Sequence, residues 1–98
     1  MHAAALRIEV HVPDSHSLKD KRRVIVPFVE GLRRLASVSV AEVGYHDTWQ
    51  RSVVGVAVVT ADASSLETLV ERIRRYVDDQ VELRPTDVRL THMEDHDG

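Results

Sequence analysis

The chemistry this chain can offer is concentrated in Ser17-Leu18-Lys19-Asp20-Lys21-Arg22-Arg23. A serine able to cap a helix is followed at once by Lys19, Lys21, Arg22 and Arg23, within the first turns. A helix N-terminus is already positive, so each exposed cation there opposes the macrodipole by about 0.3–1 kcal/mol. Local helix stability does not account for them. An anion, held by these side chains and by the free N–H groups of the first turn, or a protein partner would account for them. A second segment, Asp47-Thr48-Trp49-Gln50-Arg51, adds a tryptophan outside any apolar pattern, able to stack on a base or fill a partner's pocket. Catalytic chemistry is not supported. His16 and His46 could form a general acid–base pair, but no activated nucleophile stands near them in the sequence. His2, His11, His16, His46, His92 and His96 show neither H-x-x-x-H nor finger spacing, so no metal centre and no cofactor are expected.

The elements that must position these residues follow from hydrophobic period. Leu6, Ile8, Val10 and Val12 alternate with Arg7, Glu9 and His11, a half-buried strand ended by Pro13-Asp14. Ser17 is the N-cap of a first helix, with Asp20 as a short capping box. Leu18, Ile25, Phe28, Val29, Leu32, Leu35 and Ala36 share one face, and the face keeps its phase across Pro27, which predicts one helix. Val38 to Tyr45 and Ser52 to Ala61 read as strands, the second apolar almost throughout. Asp62, Ser64 or Ser65 caps a second helix with a stripe of Leu66, Leu69, Val70, Ile73 and Val77. A last strand spans Asp87 to Met93, and residues 94–98 form an acidic, frayed tail. The expected fold class is α+β, ferredoxin-like βαββαβ: a four-stranded antiparallel sheet with two helices on one face, in a single domain over residues 1–98.

This topology makes distant segments meet. The start of the first helix, the hairpin His46 to Arg51 and the connection Gln80 to Pro85 should all lie at one end of the sheet. Lys19, Lys21, Arg22, Trp49, Arg51 and Arg84 then share a rim. Lys21 falls inside the apolar stripe of its helix. Either its stem packs and its ammonium reaches the sheet edge, onto Asp47, or it binds an anion with the first turn. Trp49 either folds over the sheet edge or faces a partner. Arg33, Arg34, Arg72, Arg74 and Arg75 read as solvated helix faces.

Composition sets the outer limits. A net charge of −3 argues against a generally basic nucleic-acid binder, so a polyanion would have to meet a local patch. The absence of cysteine excludes disulfides and thiol chemistry and fits a cytoplasmic location. The alternating start lacks a signal peptide's apolar run, and Val53 to Val59 is too short to cross a bilayer, so no membrane partner is expected.

Ser17-Leu18-Lys19-Asp20-Lys21-Arg22, Val38-Ser39-Val40-Ala41-Glu42-Val43 and Asp47-Thr48-Trp49-Gln50-Arg51 together resemble the YlxP-like family of small bacterial proteins, a domain of unknown function. The resemblance implies a ferredoxin-like fold and, because such genes sit beside those of translation initiation and ribosome maturation factors, a translation-linked role. It implies no catalytic residue.

The leading expectation is a non-enzymatic binding module for RNA or the ribosome. Ser17, Lys19, Lys21, Arg22, Arg23 and Arg51 would form the anion site, and Trp49 would stack. With no aromatic strand code, RNA should use the rim and not the open sheet face. One alternative is a phosphometabolite-binding protein or small hydrolase using the same helix N-terminus, although the glycine-rich arginine loop of acylphosphatases is missing between Pro13 and Leu18. The other is a homodimer or protein–protein adaptor formed through the open sheet face or a strand edge.

Overall fold

The computed structural model describes residues 1–35 and 38–95. In chain order the elements are β1 (His2–His11), α1 (Leu18–Arg33), β2 (Val38–Gly44), β3 (Arg51–Thr60), α2 (Ala63–Asp78) and β4 (Arg84–Glu94). The strands form one antiparallel sheet in the order β2-β3-β1-β4, with β2 and β4 at its edges. This is the ferredoxin-like arrangement.

Period two decides which strand residues meet the helices. Ala4, Leu6, Ile8 and Val10 of β1 lie opposite Val58, Val56, Val54 and Ser52 of β3, and all are buried. Ile25, Phe28, Val29 and Leu32 of α1 join Leu66, Leu69, Val70, Ile73 and Val77 of α2 over this floor. Among the described residues the other sheet face carries no helix.

Local signals set the helix starts. Ser17 caps α1, its hydroxyl accepting from the Asp20 N–H at 3.0 Å. The Asp20 carboxylate completes the box on the His16 N–H, at 3.1 Å, one residue before the cap. Asp62 alone caps α2, through the Ser65 N–H, with the Ser64 and Ser65 hydroxyls also donating to it. These donors hold the Asp62 carboxyl below its usual range, the Ser65 backbone bond first.

Several boundaries differ from the sequence reading: β1 ends at His11 and not Val12, and β3 runs Arg51–Thr60 instead of Ser52 to Ala61. α1 ends at Arg33, with Arg34 as C-cap; Leu35 still packs on the core, and Ala36 lies outside the described residues. β2 stops at Gly44 because Tyr45 turns to φ 58°, the left-handed region. β4 starts earlier and runs longer, from Arg84 to Glu94. Glu94 is therefore paired opposite His2 and is not part of a frayed tail, and the Asp95 N–H donates to the Met1 carbonyl at 3.0 Å. Of the expected tail, residues 96–98 lie outside the described residues. Pro85 fits inside β4 because β4 is an edge strand and its ladder with β1 shifts register at Glu9/Val10.

Gly31 has a tertiary role. A methyl group there would stand 1.9 Å from the Tyr76 hydroxyl, so the glycine lets α1 and α2 touch. Tyr76 stacks on Phe28 at 5.6 Å between centroids and donates to the Phe28 carbonyl at 2.9 Å. Burial raises its phenol above the usual range.

Candidate functional site

The loop from Tyr45 to Gln50 is tied to α1 by one buried cation. Lys21 sits in the apolar stripe of α1, and its side chain is 3% exposed. Its ammonium donates to the carbonyls of Tyr45 at 2.7 Å, His46 at 3.2 Å and Arg51 at 3.3 Å. Glu42 supplies the countercharge, with Oε2 at 3.5 Å. The buried Ser52 hydroxyl donates to that same carboxylate oxygen. A buried ammonium has three protons and no tolerance for an unpaired one; here each meets a carbonyl.

Two readings of Lys21 are thereby corrected. Its carboxylate partner is Glu42, not Asp47. Its donors also point inward, so Lys21 is not a surface cation for a phosphate. It clamps the hairpin. The left-handed backbone at Tyr45, which costs a non-glycine residue about 1–2 kcal/mol, is held by this clamp and by the Thr48 N–H on the same carbonyl at 3.1 Å.

The far side of the loop is fixed as firmly. The Gln50 amide donates to the Pro13 carbonyl at 3.2 Å and to the Ser15 carbonyl at 3.0 Å, and the Val12 N–H donates to the Gln50 carbonyl at 2.8 Å. The hairpin and the β1–α1 connection are thus one rigid body. Arg84 lies opposite His11, which brings the start of β4 to the same end. The three segments converge as the topology required.

Upon this frame sit the remaining candidate residues. Trp49 is 55% exposed, standing out from the loop instead of lying back on the sheet. Lys19, Arg22 and Arg23 are exposed; Arg23 reaches Asp20 at 3.8 Å. Among the described residues neither Lys19 nor Arg22 forms an ion pair. Arg51 pairs with Glu9 and lies 4.3 Å over the Tyr45 ring, and the hydrogen bond it donates to Glu9 raises its pKa. Ser17 spends its hydroxyl on the helix cap. The His46 ring engages the Glu42 backbone carbonyl at 3.1 Å. A groove of about 350 Å³ runs beside this rim between α1 and the β2 edge, floored by Leu18, Ile25 and Val29 and walled by Arg22 and Asp47.

The sequence reading assigned no site role to the buttressing residues Glu42, Ser52, Glu9 and Gln50, yet a signal for one existed. Val38, Val40 and Glu42 share the helix-facing phase of β2, opposite Val58, Val56 and Val54. An acid out of phase in a strand and a base out of phase in a helix are natural partners. Among the described residues no group of three or more His, Asp or Glu gathers as a metal site, and no helix is long and apolar enough to cross a membrane.

Fold and rim together define a small ferredoxin-like α+β domain that gathers exposed cations and an indole at one end. The profile of the family described as Protein of unknown function (DUF503) matches residues 3–90, and the chain belongs to that family. It is 33% identical over 81 residues to Uncharacterized protein YlxP of Bacillus subtilis (strain 168), an alignment covering 83% of this chain and 88% of the relative. Among solved structures it is similar to the de novo designed protein Foldit4, with 24% identity, TM-score 0.54, and 91% and 96% of the two chains covered. It also resembles part of an amidase of the hydantoinase/carbamoylase family from Burkholderia phymatum, with 12% identity and TM-score 0.51, covering 96% of this chain and 28% of the amidase. Both structural likenesses concern the fold alone.

Proposed function

We propose that this chain is a non-enzymatic cytoplasmic binding module, linked to translation or ribosome maturation, whose rim takes the phosphate backbone of RNA. One observation carries the reading. The buried Lys21 clamp ties the hairpin that carries an exposed Trp49 to the helix start that carries the exposed Lys19, Arg22 and Arg23, in a protein whose net charge is −3. Cations kept at one end of an acidic protein favour a local polyanion contact over non-specific adhesion. Lys19, Arg22 and Arg23 contact phosphates, Trp49 stacks on a base, and Arg51 adds charge in an orientation set by Glu9 and Tyr45. Ser17 and Lys21 are positioning residues.

Trp49 is the sole tryptophan, so its fluorescence reports the rim directly. Titration with a single-stranded RNA should quench it, with a log affinity against log salt slope near −2, as expected of about three phosphate contacts. Lys19→Glu with Arg22→Glu should weaken binding at least ~10-fold and flatten the slope, and should reduce co-sedimentation with ribosomes. An affinity and slope identical to wild type would remove the reading.

A further inference from the structure

We infer that the helix-free face of the sheet is the seat of a second copy of this chain, packed about a two-fold axis parallel to the strands. The registers place Thr91, Ala5, Ala57 and Ser39 in one row across that face. The neighbouring row is Arg89, Arg7, Gly55 and Ala41. Along these rows the β2–β3 half is built of small residues and the β1–β4 half carries two long arginines, and a trough of about 520 Å³ crosses both, lined by Ala57, Ser39 and Val43 on one side and Arg7 and Arg89 on the other. Larger side chains on one half and smaller ones on the other are complementary when a second copy is turned over.

An axis running along the strands between β1 and β3 lays each row over the same row of the second copy in reverse order. Ala5 then meets Ala57 of the partner subunit, and Arg7 meets Gly55 of the partner subunit. Sheets stacked in this aligned way lie about 10 Å apart, which small residues and interdigitated long ones fill.

Charge decides between this occupant and a nucleic acid. Arg7 lies 3.6 Å from Glu9, which also holds Arg51, and Arg89 donates to Asp87 at 2.9 Å. The cations of the face are thus answered within it, and the rows offer no aromatic for stacking. Beside these internally paired charges the face exposes apolar side chains: Val43, Val59 and Met93 are 56%, 62% and 64% accessible. Four strands about 4.8 Å apart and about eight residues deep give roughly 500 Å² in projection. Side-chain relief brings that toward the ~800 Å² per partner of a standard interface, about an eighth of the 6174 Å² that the chain exposes. A dimer of modest affinity is the expectation. Because the axis runs along the strands, both rims come to the same end of the dimer.

Sedimentation velocity from about 10 µM to about 1 mM tests this. The 11.1 kDa mass should double across the series. Ala57→Arg, which fills the trough floor, should keep the protein monomeric, and so should Val59→Asp at a site already exposed, where folding is not at stake. The rim variant carrying Lys19→Glu and Arg22→Glu should dimerise as wild type does, which separates this inference from the proposed function. A strict monomer at 1 mM, or a dimer indifferent to both face variants, overturns it. So does RNA binding that Val59→Asp abolishes while leaving the mass unchanged, which would make the face a nucleic-acid surface.

Discussion

Replacing Lys21 by methionine keeps an apolar stem of similar length and removes one charge. In the folded protein three backbone carbonyls, at 2.7, 3.2 and 3.3 Å, lose their donor, and Glu42 loses its countercharge at 3.5 Å. Water cannot readily replace the ammonium, because the Lys21 side chain is 3% exposed. Breaking a buried, hydrogen-bonded charge in this way costs about 3–5 kcal/mol. Set against the ~5–15 kcal/mol total of an ordinary domain, that is a large share. In thermal terms, about 4–8 °C per kcal/mol for this size places the midpoint roughly 12–40 °C lower. Urea titration followed by far-UV circular dichroism gives the free energy, and Trp49 fluorescence reports the hairpin. Lys19→Met, on the exposed side of the same turn, should change stability by no more than about 0.5 kcal/mol. A double-mutant cycle with Glu42→Gln should show coupling of about 1–3 kcal/mol, since the two residues share one network. If Lys21→Met unfolds within about 0.5 kcal/mol of wild type, the clamp is unimportant and Lys21 must be sought among the binding residues instead.

Gly31→Ala normally gains about 1 kcal/mol of helix propensity, but here the methyl would collide with the Tyr76 hydroxyl at 1.9 Å. It should destabilise by about 1–3 kcal/mol in the same urea assay, and a gain would show that the helices do not touch there. Asp62 caps α2 with its carboxyl held below the ordinary value of 3.8. That stabilisation is complete above the ordinary value and is lost as pH falls through the lowered one. Asp62→Asn should therefore flatten the acid limb of the stability profile below about pH 4, measured by circular dichroism; an unchanged limb would refute the assignment.

Much of the fold is written in one-dimensional periods. Alternation in Leu6 to Val12, the stripe from Leu66 to Val77, and the caps Ser17 and Asp62 are local facts, because a strand or helix must present its apolar residues to one side whatever lies opposite. The order of elements then left one common topology, and the convergence at the rim followed from chain direction alone. Boundaries were less legible where the deciding partner is remote. Arg84 joins β4 because His11 lies opposite it, and Glu94 because His2 does.

The candidate site divides in the same way. Residue types and phase marked Ser17, Lys19, Lys21, Arg22, Arg23, Trp49 and Arg51 as unusual without a structure. Only the tertiary structure decided which of them face solvent. A lysine in an apolar stripe can reach out to a ligand or in to a carbonyl with equal ease, and the one sign in the sequence, Glu42 in the helix-facing phase of β2, becomes legible only once the fold sets it near Lys21. What settled it was the position of the Tyr45, His46 and Arg51 carbonyls, backbone groups that every residue possesses and no sequence pattern announces. Gly31 gives the same lesson, reading as a weak point in α1 until Tyr76, far along the chain, lies against it. Side-chain identity fixes what a residue can do, and three-dimensional proximity fixes which of those options it takes.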